Sequence, residues 1–92
     1  MNLNEIITNS IQSVNQDLKI DALQNPTDET QLFALLDSLG TLDLILELES
    51  RLQELTGRYI AVANENSMDK DATPFKNIKT LRAYLQKRIE DE

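Results

Sequence analysis

Apolar residues recur at intervals of three and four positions in three segments of this chain, and this spacing predicts three amphipathic helices. In the first segment the apolar positions are Leu3, Ile6, Ile7, Ile11, Val14 and Leu18. In the last segment they are Phe75, Ile78, Leu81, Tyr84, Leu85 and Ile89. Asn2 or Asn4 is suited to cap the first helix, because a short polar side chain can accept a backbone N–H there.

The middle segment predicts a helix from about Ser38 to about Leu55, with Gly57 as its C-terminal stop. On a helical wheel, the expected core face consists of Leu44, Ile45, Leu48, Leu52 and Leu55. A second apolar stripe, beside the acidic residues of the helix, consists of Leu39, Leu42 and Leu46. This helix is therefore expected to have one buried face and one mixed face of leucines and acids.

The scarcity of turn residues completes the expected architecture. Two glycines and two prolines in 92 residues leave little material for hairpins. The periodicity breaks between residues 19 and 37, and a connection of this length often carries a short helical turn. A further short turn is expected around residues 71–77. We expect a single all-α domain over residues 1–92: a small helical bundle of three main helices plus a short helix, with a long loop between the first two helices.

The charge balance argues against several classes of partner and site. Sixteen acidic residues against nine basic ones give a net charge of −7, which repels nucleic acids and anionic lipids and favours partners with basic patches. Histidine and cysteine are both absent, which removes the commonest general base and rules out disulfides, and we expect no metal site. No apolar run approaches membrane-spanning length, so we expect a cytoplasmic protein that does not insert into membranes. We also expect it to be a monomer.

The most informative segment covers residues 37–49 and reads DSLGTLDLILELE. Its simplest interpretation is structural: Asp and Ser are preferred helix caps, and an acidic helix face is usually just solvated. The segment also supports a functional interpretation. A serine at a helix start exposes its hydroxyl at the positive end of the helix dipole, where an attached phosphodiester is favoured. The neighbouring acids and leucines offer a partner both charge and an apolar anchor.

At these residues the chain resembles the acyl carrier protein family, which includes peptidyl and D-alanyl carriers. The family opens its second helix with D-S-[LM], and the serine accepts 4′-phosphopantetheine from coenzyme A. The Gly-Thr that follows the triplet here is most similar to the D-alanyl branch. The resemblance extends to the layout of most of the chain: helix, long loop, D-S-L helix, short element and final helix.

Carried over residue by residue, the resemblance implies that Ser38 is the attachment point of 4′-phosphopantetheine. It implies that Asp37 assists the phosphopantetheinyl transferase (holo-acyl-carrier-protein synthase) that loads it. The implied docking surface for that transferase and for acyl- or aminoacyl-transferring enzymes is Leu39, Asp43, Leu46, Glu47 and Glu49. The implied core residues are Ile7, Leu42, Ile45, Leu48, Phe75, Ile78, Leu81 and Leu85. The implied role is non-catalytic delivery of acyl or aminoacyl thioesters in fatty-acid, specialised lipid, polyketide or cell-surface biosynthesis.

Three departures from the family pattern point towards a dedicated carrier in a specialised pathway. Leu35 stands where glycine is common, two residues before the Asp-Ser pair. Gly40 stands where fatty-acid carriers often have an acid, and Arg51 interrupts the acidic run. The segment 58–74 is longer than in fatty-acid carriers, which leaves the form of a third helix open. The cargo also stays open: a fatty acyl chain, a D-alanyl or other aminoacyl group, or a polyketide intermediate.

Two classes of alternative compete with the carrier interpretation. An enzyme with Ser38 as its nucleophile would need a base and an orienting group, and the lysines Lys70, Lys76 and Lys79 fall in polar, exposed-looking positions. A helical interaction module that is never modified would instead bind one partner through the leucine stripe, with the serine serving only as a cap.

Overall fold

The structure is a computed structural model that describes residues 2–91, and it is all-helical over that part of the chain. Helix α1 covers Leu3–Leu18, a short 3₁₀ helix covers Asp21–Leu23, helix α2 covers Leu32–Thr56 and helix α3 covers Ile78–Asp91. The expected all-α bundle of three main helices plus a short helix is confirmed. Its short helix lies in the first connection, whereas residues 58–77 form turns, bends and irregular chain.

The core forms where the apolar stripes of the three helices meet. Helix α1 packs chiefly against α2, and its cap is Asn2, whose side chain accepts the Glu5 N–H at 2.9 Å. The most deeply buried side chains are Ile6, Ile7, Ile11, Leu23, Leu32, Leu44, Leu48, Leu52, Ile60, Phe75, Leu81 and Leu85. Two expected core residues are exposed instead: Leu42 is 45% exposed and Leu55 is 43% exposed.

Both errors have a geometric cause. Leu42 lies about 110° around the helix from the centre of the buried face, given the 3.6-residue period, and its side chain is therefore exposed. Leu55 lies on the correct face but in the last turn of α2, next to the Thr56 end of the helix. A helical wheel records direction around the axis and does not record where the neighbouring elements end.

Helix α2 contains a break at Asp37, whose backbone angles are φ 55° and ψ −169°. The break divides α2 into a short lead-in segment, residues 32–36, and a long segment that starts at Ser38. The expected start near Ser38 thus marks a real discontinuity, although helical structure begins earlier, at Leu32. Gly57 ends α2 with φ 75°, in the left-handed conformation that glycine adopts without strain.

The first connection is tied to α3 by Asp28. Its backbone C=O accepts the Lys79 N–H at 3.1 Å, and its carboxylate pairs with the Arg82 guanidinium through two hydrogen bonds, one of 3.2 Å. The hydrogen bond from Arg82 holds the pKa of the Asp28 carboxyl below its ordinary value.

This pair predicts a specific loss of stability in acid. Because the pKa of Asp28 is lower in the folded chain, the pair stabilises the fold above the unfolded-state pKa of about 3.9. That contribution is lost as the pH falls through the lower, folded-state value. Urea denaturation from pH 5 to pH 2 should show wild type losing its advantage over Asp28→Asn within this window, with less difference at high salt. A constant difference between the two proteins at every pH would contradict the assignment.

Candidate functional site

Asp37 caps the long segment of α2. Its Oδ1 accepts the Gly40 N–H at 3.0 Å, the reach of an N-cap side chain to the third residue of its helix. The cap is therefore Asp37, and Ser38 is the first helical residue.

Ser38 is exposed, and within residues 2–91 its hydroxyl makes no hydrogen bond. It lies at the N-terminal end of a helical segment that runs to Thr56, where the helix dipole is positive. The serine is thus not needed as a cap and its hydroxyl is available for modification.

The backbone of Asp37 carries strain. Its φ and ψ fall in a region occupied almost only by glycine, at a cost of about 1–3 kcal/mol for other residues. The strained residue directly precedes Ser38, and the cap hydrogen bond helps to hold it there.

Because of this conformation, we expect glycine at position 37 to give a more stable protein than alanine, the reverse of their usual order in helices. Asp37→Ala loses the cap, at about 1 kcal/mol, and keeps the strain. Asp37→Gly removes the strain and loses only a few tenths of a kcal/mol in capping. We expect the glycine variant to be more stable than the alanine variant by about 1–2 kcal/mol in urea denaturation, although alanine is the better helix former. An alanine variant as stable as the glycine variant would contradict the strained geometry.

Gly40 lets the lead-in segment approach the long segment closely. A Cβ placed at Gly40 would lie 3.0 Å from the Leu36 Cβ and 3.4 Å from the Leu18 Cδ1. The absence of an acid here therefore has a packing reason: the position is buried between the end of α1 and the lead-in segment. This packing role of Gly40 could not be predicted from the sequence, because the contact with Leu36 depends on the break at Asp37.

The leucine stripe, defined as Leu39, Leu42 and Leu46, is uncovered. The three side chains are 75%, 45% and 57% exposed. Scattered apolar residues on a surface are ordinary, but three on one face beside Ser38 form a continuous apolar strip. Leu42 was predicted to belong both to this stripe and to the core, and the core prediction is wrong.

Acidic side chains border the stripe on the side of α1. A cleft of about 280 Å³ between the two helices is lined by Ser13, Val14, Asp17, Asp43, Leu46 and Glu47. Glu47 also approaches the Arg51 guanidinium at 3.8 Å. Asp43 and Glu47 thus lie beside Leu46, as the wheel indicates. Asp17 joins them from α1, and only the pairing of the two helices reveals this.

Glu49 differs from the other residues predicted for docking. Its carboxylate accepts the Val62 N–H at 2.8 Å and the Tyr59 hydroxyl at 3.1 Å, and this hydrogen bond raises the pKa of Tyr59. Tyr84 fixes the same segment, because its hydroxyl donates to the Val62 C=O at 2.7 Å. The carboxylate of Glu49 therefore holds the connection between α2 and α3 in place, and only part of the residue is exposed.

Searches for metal sites, membrane-spanning helices and related proteins gave the following results. Among residues 2–91, no three or more His, Cys, Asp or Glu side chains are arranged to hold a metal ion. No helix in the described part of the chain combines the length and the apolar character needed to cross a membrane. Comparisons of the chain with protein-family models, curated proteins and solved structures found no match.

Proposed function

We propose that this chain is a carrier protein whose Ser38 is loaded with 4′-phosphopantetheine from coenzyme A. The observation that carries the proposal is the exposed hydroxyl of Ser38, without an internal hydrogen bond, at the start of a helix capped by Asp37. The D-S-L segment that resembles the acyl carrier family supplies the chemical identity of the group. The residues present fit it, since a phosphodiester needs an accessible hydroxyl and benefits from the helix dipole.

Loading is the work of a phosphopantetheinyl transferase that brings coenzyme A and Mg²⁺. The Ser38 oxygen attacks the β-phosphorus of coenzyme A, and its hydroxyl proton passes to a base of the transferase. As the new O–P bond forms, the P–O bond towards the α-phosphate breaks and adenosine 3′,5′-bisphosphate leaves. When bound, the group supplies a thiol that holds an acyl or aminoacyl cargo as a thioester. The chain delivers that cargo in the cytoplasm, and tethering gives the cargo a high effective concentration at partner sites. It acts as a monomer, without binding nucleic acid or inserting into membranes.

The leucine stripe and its acids are the proposed docking surface for the transferase and for cargo-transferring enzymes. Leu39, Asp43, Leu46 and Glu47 present an apolar strip bordered by carboxylates, which suits a partner with a basic rim around an apolar pocket. Glu49 was also predicted to dock. Its bonds to Tyr59 and Val62 give it a fixed position beside that surface.

Docking through this surface should depend on salt and on single side chains. We expect the kcat/KM for loading to fall several-fold between low and high salt, as the Debye length shrinks from about 10 Å at 0.1 M to about 3 Å at 1 M. Asp43→Asn should lower the kcat/KM at low salt and make it less dependent on salt. Leu46→Ala should lower the kcat/KM for loading roughly tenfold. Glu65→Gln, which removes one exposed charge elsewhere, is the control. Equal salt dependence in Asp43→Asn and Glu65→Gln would contradict the docking surface.

The alternative to a carrier protein is an interaction module that is never modified and binds a partner through the same leucine stripe. Incubating the folded wild-type chain with coenzyme A, Mg²⁺ and broad-specificity transferases, followed by intact-protein mass spectrometry, separates the two. A gain of one phosphopantetheine group supports the carrier. No gain with several transferases that load a known carrier in the same tubes favours the interaction module.

A further inference from the structure

A second cavity, distinct from the acidic cleft, lies where the lead-in segment of α2 meets the connection before α3. It measures about 320 Å³ and is lined by Gln31, Phe33, Ala34, Lys70 and Lys76. The Phe33 N–H donates to the Phe75 C=O at 3.0 Å, and this bond joins the two walls. Because the Phe75 side chain is fully buried in the core, the walls have a fixed base.

The charge of this cavity is opposite to that of the chain. The net charge is −7, yet the cavity is lined by two lysines and by no acid. Neither ammonium forms an ion pair within residues 2–91. Two cations beside one concave surface favour a bound anion, and Phe33 and Ala34 add an apolar wall.

We propose that this cavity receives the far end of the cargo, and that the cargo is a short acyl group ending in a carboxylate. The proposal rests on the proposed function of Ser38. Ala34 precedes Ser38 by four residues, so their Cα atoms are at most about 14 Å apart. A phosphopantetheine arm, with two amide units between its phosphate and its thiol, is longer than this separation.

The same features discriminate between cargo classes. The volume is at the lower end of the roughly 300–1,000 Å³ range of small-molecule pockets, which suits a short chain. A terminal carboxylate gains charge-assisted hydrogen bonds from Lys70 and Lys76. The ammonium of an aminoacyl cargo is repelled by the same lysines, so the cavity disfavours D-alanyl and related groups.

Three cargoes of matched chain length test this proposal. The chain is loaded by a broad-specificity transferase from glutaryl-, valeryl- and 4-(trimethylammonio)butyryl-coenzyme A, whose acyl ends are anionic, neutral and cationic. Melting temperatures and ¹H–¹⁵N spectra are compared with those of the chain loaded from coenzyme A itself. The arm's own phosphate is common to all four proteins and cancels from the comparison.

We expect the glutaryl form to melt about 3 °C above the valeryl form, and the trimethylammonio form to melt lowest. Amide shifts specific to glutaryl should map to residues 31–34 and 70–76. In Lys70→Gln/Lys76→Gln the three melting temperatures should converge, whereas Lys79→Gln/Lys87→Gln, which removes the same net charge, should keep the order. If all the cargoes load but the melting temperature does not depend on their charge, this inference alone is overturned. If the chain does not load at all, the carrier function is overturned instead.

Discussion

Ser38→Ala is expected to abolish loading with phosphopantetheine and to leave the fold intact. The substitution removes the only atom to which the arm is proposed to attach, so the loss is complete and no partial rate remains. Because the hydroxyl is exposed and makes no hydrogen bond within residues 2–91, the free energy of unfolding should stay within about 0.5 kcal/mol of wild type. Intact-protein mass spectrometry and urea denaturation of the same preparation measure both quantities.

Ser50→Ala is the matched control, since Ser50 is an exposed serine in the same helix. It should load at the wild-type rate and reach one group per chain. Loading of Ser38→Ala at any appreciable level would move the attachment elsewhere. A Ser38→Ala chain that unfolds would contradict the finding that Asp37, and not Ser38, is the cap.

Phe75→Ala is expected to produce the largest loss of stability, about 3–5 kcal/mol. The Phe75 side chain is completely buried, and its C=O accepts the N–H of Phe33 in the lead-in segment. A chain of this size has roughly 5–14 kcal/mol of stability in total, so the substitution removes a large share of it. Loading of Ser38 should fall with the unfolded fraction, because the residues leading into Asp37 lose their support.

Leu39→Ala is the control for this substitution, because Leu39 is a large apolar side chain that is 75% exposed. It should change the free energy of unfolding by less than about 0.5 kcal/mol. Urea denaturation followed by circular dichroism checks both variants. A Phe75→Ala chain as stable as Leu39→Ala would contradict the placement of Phe75 in the core.

Much of the fold could be predicted from the sequence because its signals are local and repeated. The three-to-four spacing of apolar residues indicated α1 and the long segment of α2 correctly, and it also predicted α3, which begins three residues after Phe75. The caps Asn2 and Gly57 were predicted from residue chemistry that acts within one turn of the helix end.

The features that the sequence did not reveal depend on contacts between distant parts of the chain. The lead-in segment before Asp37 is helical because Leu32 and Leu36 are buried in the core and Phe33 bonds to Phe75. No periodic signal in five residues could indicate that. Asp17 reaches the acidic cleft only through the pairing of α1 with α2.

Within the candidate site, the positions of Asp37 and Ser38 at a helix start could be predicted from the sequence, whereas the role of Glu49 could not. The D-S-L segment singled out Ser38 and Asp37 directly, since the relevant chemistry lies in adjacent residues. The role of Glu49 in holding Tyr59 and Val62 could not be predicted, because its partners lie in a segment with no regular structure.

The central claim is that Ser38 is the residue to which phosphopantetheine is attached. Site-resolved mass spectrometry of the wild-type chain after loading tests this claim most directly. After loading and proteolysis, the peptide that spans Asp37 and Ser38 is fragmented to locate any added group. The carrier account predicts phosphopantetheine on Ser38 and on no other residue. An unmodified Ser38 in a folded chain, while a known carrier is loaded in parallel, would contradict it, and so would the same group located on another serine or threonine.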